Sequence, residues 1–207
     1  MGLFQRRQYY LRNFLQVGVY WQIVGLLIVI CGLFAVFGDA GRETFRYDRL
    51  LIQEGQYWRL ITGHFVHLGK THLLLNLAGL VLVWLLVGRY FSRTQWFLVM
   101  PIVIAVTTAC FWFIDESLLW YVGLSGVLHG LLVAGTIRGY KVLPSESVII
   151  GIIVVGKLAW EQFAGPLPGS ESVSGGAVVV NAHLFGALGG LAAAVAAGRS
   201  AGDEPSI

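Results

Sequence analysis

Long apolar runs alternate along this chain with short polar segments, and a run of about 20 apolar residues is what a helix needs to cross a bilayer. Six runs qualify, at residues 17–37, 71–87, 96–114, 118–137, 147–163 and 177–197. Pro101 falls near the start of the third. No linker is long enough to divide the chain, so residues 1–207 are expected to form one domain. The fold class this predicts is all-α: a polytopic membrane protein with six transmembrane helices.

Orientation follows from Lys and Arg in the short loops. The N-terminal segment carries Arg6, Arg7 and Arg12, and the loops after the second and fourth runs carry Arg89, Arg93, Arg138 and Lys141. Arg199 follows the sixth run, whereas the loops after the third and fifth have no Lys or Arg. Both chain ends are therefore expected in the cytoplasm. The first run is too long for a signal-peptide core and lacks a small-residue cleavage site, so it reads as a retained helix. The segment between the first two runs fits the pattern least well. It sets Arg42, Arg46, Arg49, Arg59 and Lys70 on the outer side, mixed with Asp39, Glu43, Asp48, Glu54 and four aromatic residues. That mixture suits a folded element in the membrane interface.

Composition agrees with a bilayer as solvent. Only 12% of residues are charged, against about 25% in soluble domains. Mean hydropathy is +0.73. Twenty-seven glycines against five prolines suggest closely packed membrane helices. Cys31 and Cys110 both fall inside apolar runs, which favours buried free thiols over a disulfide framework. The small net charge of +3 and the lack of a basic, aromatic-interleaved patch argue against nucleic acid as a partner.

Inside a membrane, a polar or ionisable residue is a functional candidate. His72 and Asn76 open the second run, Ser125 is placed about two turns into the fourth, and His183 about two turns into the sixth. All three helices would enter from the same side, so the four residues would share one level of one leaflet. A serine hydroxyl needs a base to become a nucleophile, and histidine serves near neutral pH. An imidazole and a carboxamide one helical turn apart, His72 and Asn76, can donate to an oxyanion. The backbone N–H of Leu124 or Ser125 could add to them. No carboxylate occurs at this level in the second, fourth or sixth run, so a serine–histidine pair without a third acidic member is expected. Gly123, Gly126 and Gly130 in the fourth run and Ala182, Gly186 and Gly190 in the sixth form small faces, which would let His183 approach Ser125.

These residues carry a resemblance. Trp58-Arg59, the His72-Leu-Leu-Leu-Asn76 stretch, Gly123-Leu-Ser125-Gly126 and Ala182-His183-Leu-Phe-Gly186-Ala-Leu-Gly-Gly190 together resemble the rhomboid intramembrane serine proteases. The resemblance implies a six-helix rhomboid-like bundle, Ser125 as nucleophile, His183 as base, and His72 with Asn76 stabilising the oxyanion. It also implies that the first loop is a membrane-embedded hairpin. The run from Gly123 to Gly130 with His129, and the Lys157/Glu161 pair, look more narrowly like the rhombosortase branch. That would make the substrates exported bacterial proteins anchored by a C-terminal Gly-Gly, hydrophobic helix and basic tail. The cell site would then be the bacterial inner membrane.

Other residues allow more than one reading. His129, four residues after Ser125, is a rival base but fits better as a support for the base or a substrate contact. Lys157 and Glu161 are spaced to neutralise each other, with Glu161 either snorkelling outward or lining the path of the substrate. His64 and His67 read as interface residues, with His67 a possible cap over the site. The Gly- and Ser-rich loop 165–176 is a connector or a mobile cap. Zinc needs three or four convergent ligands, and with no HExxH motif neither metal nor other cofactor is expected. The partners expected are the lipid bilayer and membrane-anchored protein substrates.

Overall fold

A computed structural model describes residues 21–199. Arg6, Arg7, Arg12 and residues 17–20 of the first expected span lie outside the described residues. The chain is an all-α polytopic membrane protein. In chain order the elements are α1 (Trp21–Val36), α2 (Gly38–Phe45), β1 (Tyr47–Asp48), α3 (Arg49–Gln53), α4 (Arg59–Thr62), α5 (Lys70–Val87), α6 (Arg93–Phe113), β2 (Trp120–Tyr121), α7 (Ser125–Gly139), α8 (Pro144–Ala164), α9 (Ser170–Ser174) and α10 (Val180–Arg199).

Helices α5, α6, α8 and α10 are long and apolar enough to cross a membrane, and the pair α1–α2, bent by 110°, makes a fifth candidate. The expected fourth span differs most. Residues 118–124 are not helical, and α7 begins only at Ser125. Its 15 residues rise about 22 Å, short of the roughly 30 Å hydrocarbon core. Two features hold residues 118–124 out of the helix. Tyr121 and Trp120 pair antiparallel with Tyr47 and Asp48, and Gly123 adopts φ +127°.

Local chemistry sets several boundaries. Ser92 and Gln95 form a reciprocal capping box that starts α6. Pro144 starts α8 at a position where its missing N–H costs nothing. Around the bundle, Leu26, Val29 and Leu33 of α1 and Ile149, Ile152, Ile153 and Val155 of α8 are exposed, as lipid-facing residues are. The core between the helices contains Leu80, Trp96, Val99, Val103, Leu124, Leu131 and Ala134. Cys31 and Cys110 are buried and free, as expected.

The charged first loop is a folded element, and its arginines serve backbone carbonyls. Arg49 donates to the carbonyls of Trp112 (3.2 Å), Asp115 (2.9 Å), Leu118 (3.1 Å) and Phe111, at the otherwise unsatisfied end of α6. Arg59 donates to Glu43 O (2.8 Å) and Arg46 O (2.9 Å), and Arg42 to Leu68 O (2.9 Å). Their number in this loop, which a loop-charge count cannot explain, follows from these bonds.

The small-residue faces bring α7 and α10 together. A Cβ added at Gly126 would lie 2.8 Å from Ala182 O, and one at Gly130 would lie 2.5 Å from Gly186 O. Added at Gly186 or Gly190, it would collide with the Gly126 or Gly130 carbonyl. The two backbones are in contact at these four glycines, where a side chain would leave no room.

Candidate active site

The close approach of α7 and α10 sets the central geometry. Ser125 Oγ lies 3.0 Å from His183 Nε2. Both residues sit in the first turn of their helices, Ser125 as the first residue of α7 and His183 three residues after Val180. The expectation of two turns' depth is corrected by the late helix starts. The change has a chemical consequence. The first N–H groups of a helix have no intrahelical acceptor and point toward its positive end, so Ser125 stands where a developing anion would be favoured.

His183 has a second partner that the sequence reading did not assign to it. Its Nδ1 is 2.9 Å from Glu161 Oε2. Glu161 comes from α8 and is 3% exposed, so it does not snorkel. The second, fourth and sixth runs hold no carboxylate at this level, so the sequence predicts a serine–histidine pair alone; the carboxylate that meets His183 comes from the fifth run. The pairing of Lys157 with Glu161 is present, at 2.7 Å to Oε1. An ionised carboxylate only accepts, so Nδ1 carries the proton and Nε2 is left with a lone pair facing the serine hydroxyl. Lys157 Nζ is 3.3 Å from the same Nδ1, and with the ring in this tautomer that contact is not a hydrogen bond.

His129 does not take the place of the base. Its Nδ1 bonds the Ser125 carbonyl at 2.7 Å, and its ring stacks on that of His183 with centroids 4.2 Å apart. It therefore supports one face of the imidazole. His129, Glu161 and His183 present ligand atoms within 4.8 Å of one another, the one such trio among the described residues. The Lys157 ammonium on the same carboxylate opposes a dication there.

His72 and Asn76, on α5, line the same cavity as Ser125. The Leu68 N–H donates to His72 Nδ1 at 3.3 Å, which leaves the proton of a neutral ring on Nε2. That end of the ring abuts Gly123: a Cβ there would lie 3.1 Å from Nε2. Gly123 thus admits the imidazole beside the serine while holding a backbone angle that other residues rarely adopt. Asn76 donates one amide N–H to His72 O at 3.1 Å and keeps a second.

A cavity of about 860 Å³ joins these groups, with Ser125, His183, His72, Asn76, Glu161 and Lys157 in its wall. The 165–176 loop contributes Leu167, Pro168, Gly169, Ser170, Val173 and Ser174 to the cavity wall as well as linking two helices. Part of it is helical, between Gly169 and Gly175 in left-handed conformations. His64 and His67 are buried in the protein, which corrects their reading as interface residues. His64 Nε2 bonds Thr108 Oγ1 at 2.8 Å, and the His67 ring meets the edge of His72 at 5.1 Å. Burial holds His64 at about 4 and His67 at about 3, well below the usual histidine range.

Residues 54–200 match the family described as Rhomboid domain. No curated protein matches the chain.

Proposed function

The chain belongs to the rhomboid family, whose members are serine intramembrane proteases, and we propose that it is an active one in which Ser125 is the nucleophile and His183 the general base. The observation that carries this reading is the 3.0 Å contact between Ser125 Oγ and His183 Nε2, beside a cavity. An inactive relative that only binds membrane clients would have no need for that contact.

In the proposed reaction the Ser125 proton moves to Nε2 as Oγ bonds to the scissile carbonyl carbon. The carbonyl electron pair becomes an oxyanion, held by Nε2–H of His72, the free N–H of Asn76 and the first N–H groups of α7. Collapse breaks the C–N bond, and the imidazolium gives its proton to the leaving amine. Water, or another nucleophile such as an amine, then releases the acyl group with His183 again as base. The substrate must unwind locally, because a helix shields its own backbone bonds.

For the substrate, the rhombosortase-like features favour membrane-anchored proteins ending in Gly-Gly, a hydrophobic helix and a basic tail. Gly-Gly has the weakest helix preference next to Pro and opens at least cost. The setting that fits is the bacterial inner membrane, with both chain ends in the cytoplasm, the cavity at the outer face and residues 1–207 acting as one domain. The test is purified protein incubated with a fluorophosphonate probe and a Gly-Gly-tailed membrane substrate, beside Ser125→Ala and His183→Ala. Wild type is expected to label and cleave, and both variants to do neither. Labelling that persists in Ser125→Ala contradicts the nucleophile. Cleavage of an anchor without Gly-Gly at the same rate contradicts the substrate class.

A further inference from the structure

Helix α8 is the least embedded of the long helices: only 17% of its apolar window is buried. Yet it carries two charges into the protein. Lys157 and Glu161, one turn apart, meet at 2.7 Å, and Glu161 is 3% exposed. A buried ion pair is a weak source of stability, since desolvation offsets most of its attraction. Two ionisable groups on a lipid-facing helix need another explanation, and the distances supply one. One carboxylate oxygen faces the ammonium at 2.7 Å, and the other faces His183 Nδ1 at 2.9 Å. On its far side the imidazole faces Ser125 Oγ at 3.0 Å. Lys157, Glu161, His183 and Ser125 form one continuous line.

We propose that Glu161 is the positioning residue for His183, and that Lys157 fixes which oxygen of Glu161 faces the imidazole. This rests on the protease reading. Glu161 accepts from Nδ1–H and keeps the tautomer whose Nε2 lone pair can take the serine proton. When Nε2 is protonated during attack, the carboxylate faces the resulting cation without itself taking a proton. Lys157 compensates the carboxylate charge, which has no other cationic partner among the described residues. His129, stacked on the ring, fixes its tilt, while Glu161 fixes its rotation and proton position.

The role of Lys157 leads to an unusual consequence for Glu161→Gln. The carboxamide has one acceptor and one donor end. Its oxygen will turn to the Lys157 ammonium, leaving its NH₂ toward Nδ1. Nδ1 must then accept, the ring proton moves to Nε2, and the base is lost. Replacing Lys157 as well, with Met, frees the carboxamide to turn its oxygen to Nδ1.

The experiment measures kcat and KM on a membrane-anchored substrate and fluorophosphonate labelling rates for wild type, Ser125→Ala, Glu161→Gln and Lys157→Met/Glu161→Gln. Glu161→Gln is expected to lose about 10⁴-fold in kcat with KM little changed, the size seen when a histidine loses its orienting carboxylate. The double variant is expected to recover about tenfold of that loss, the size of coupling usual between contacting residues. A kcat for Glu161→Gln equal to wild type, with Ser125→Ala inactive, overturns the role of Glu161 and leaves the protease reading standing. A double variant no better than Glu161→Gln overturns the role of Lys157. Full labelling of Ser125→Ala instead overturns the protease reading itself. Should Glu161→Gln not fold, ¹⁵N NMR of the wild type in micelles decides the point. A protonated Nδ1 on His183 is expected, and a protonated Nε2 with bare Nδ1 overturns the proposal.

Discussion

The α7–α10 contact permits a graded test at Gly186. Alanine there would drive a Cβ into the Gly126 carbonyl oxygen and place it 2.6 Å from the carbonyl carbon, which alone is about 1 Å inside the roughly 3.5 Å separation at which carbon atoms come to rest. Backbone cannot swing aside as a flexible side chain can, so the helices must part by at least that amount. His183 lies three residues away on α10, within one turn, and Ser125 is next to Gly126 on α7. Their 3.0 Å contact then opens to about 4 Å or more, beyond hydrogen-bond range. A displacement of about 1 Å in a catalytic pair costs about 10²-fold in rate, or about 2.7 kcal/mol of barrier. Overpacking would also remove about 1–3 kcal/mol of stability. The assay is the fluorophosphonate labelling rate alongside the thermal midpoint in detergent. Gly156→Ala on α8 is the control, because nothing lies within 4 Å of its added Cβ. Wild-type labelling by Gly186→Ala would refute the claim that this contact sets the Ser125–His183 distance.

The other two predictions concern donors and acid. Asn76→Ala, which removes the amide beside His72, is expected to lower kcat by about 10²–10³-fold with little change in KM; an equal rise in KM at constant kcat would show that Asn76 only binds substrate. Acid should destabilise the fold through His64 and His67, held at about 4 and about 3 by burial. Below about 6.5 the unfolded chain takes up protons that the folded chain refuses, so stability falls with falling pH, by up to about 1.4 kcal/mol per unit for each histidine. Unfolding midpoints between pH 7 and pH 5 measure this; His64→Gln should flatten the slope, and a midpoint that rises toward pH 5 would contradict it.

Much of the protein was legible before the fold. Apolar length alone marks the long helices, because a membrane demands about 20 such residues whatever the tertiary arrangement. The small faces of residues 126–130 and 182–190 mark which helices touch, since small residues let backbones approach closely. Helix starts were less legible. Residues 118–124 are as apolar as a span, and hydropathy cannot register that Tyr121 pairs with Tyr47 from 74 positions earlier, or that Gly123 has a positive φ. The arginines of the first loop were legible only as charges, because a charge count does not show that Arg49 is bonded to the carbonyl end of α6.

At the site, residue type and order along the chain were enough to nominate Ser125, His183, His72 and Asn76, since their chemistry is rare inside apolar helices. Glu161 shows the limit. Its charge and its spacing from Lys157 were visible, but local sequence reports only neighbours on the same helix face. Its bond to His183, 22 residues away on another helix, depends on how α8 leans against α10. Helix spacing is a property of one segment; the meeting of a carboxylate, an imidazole and a hydroxyl from three segments is a property of their assembly.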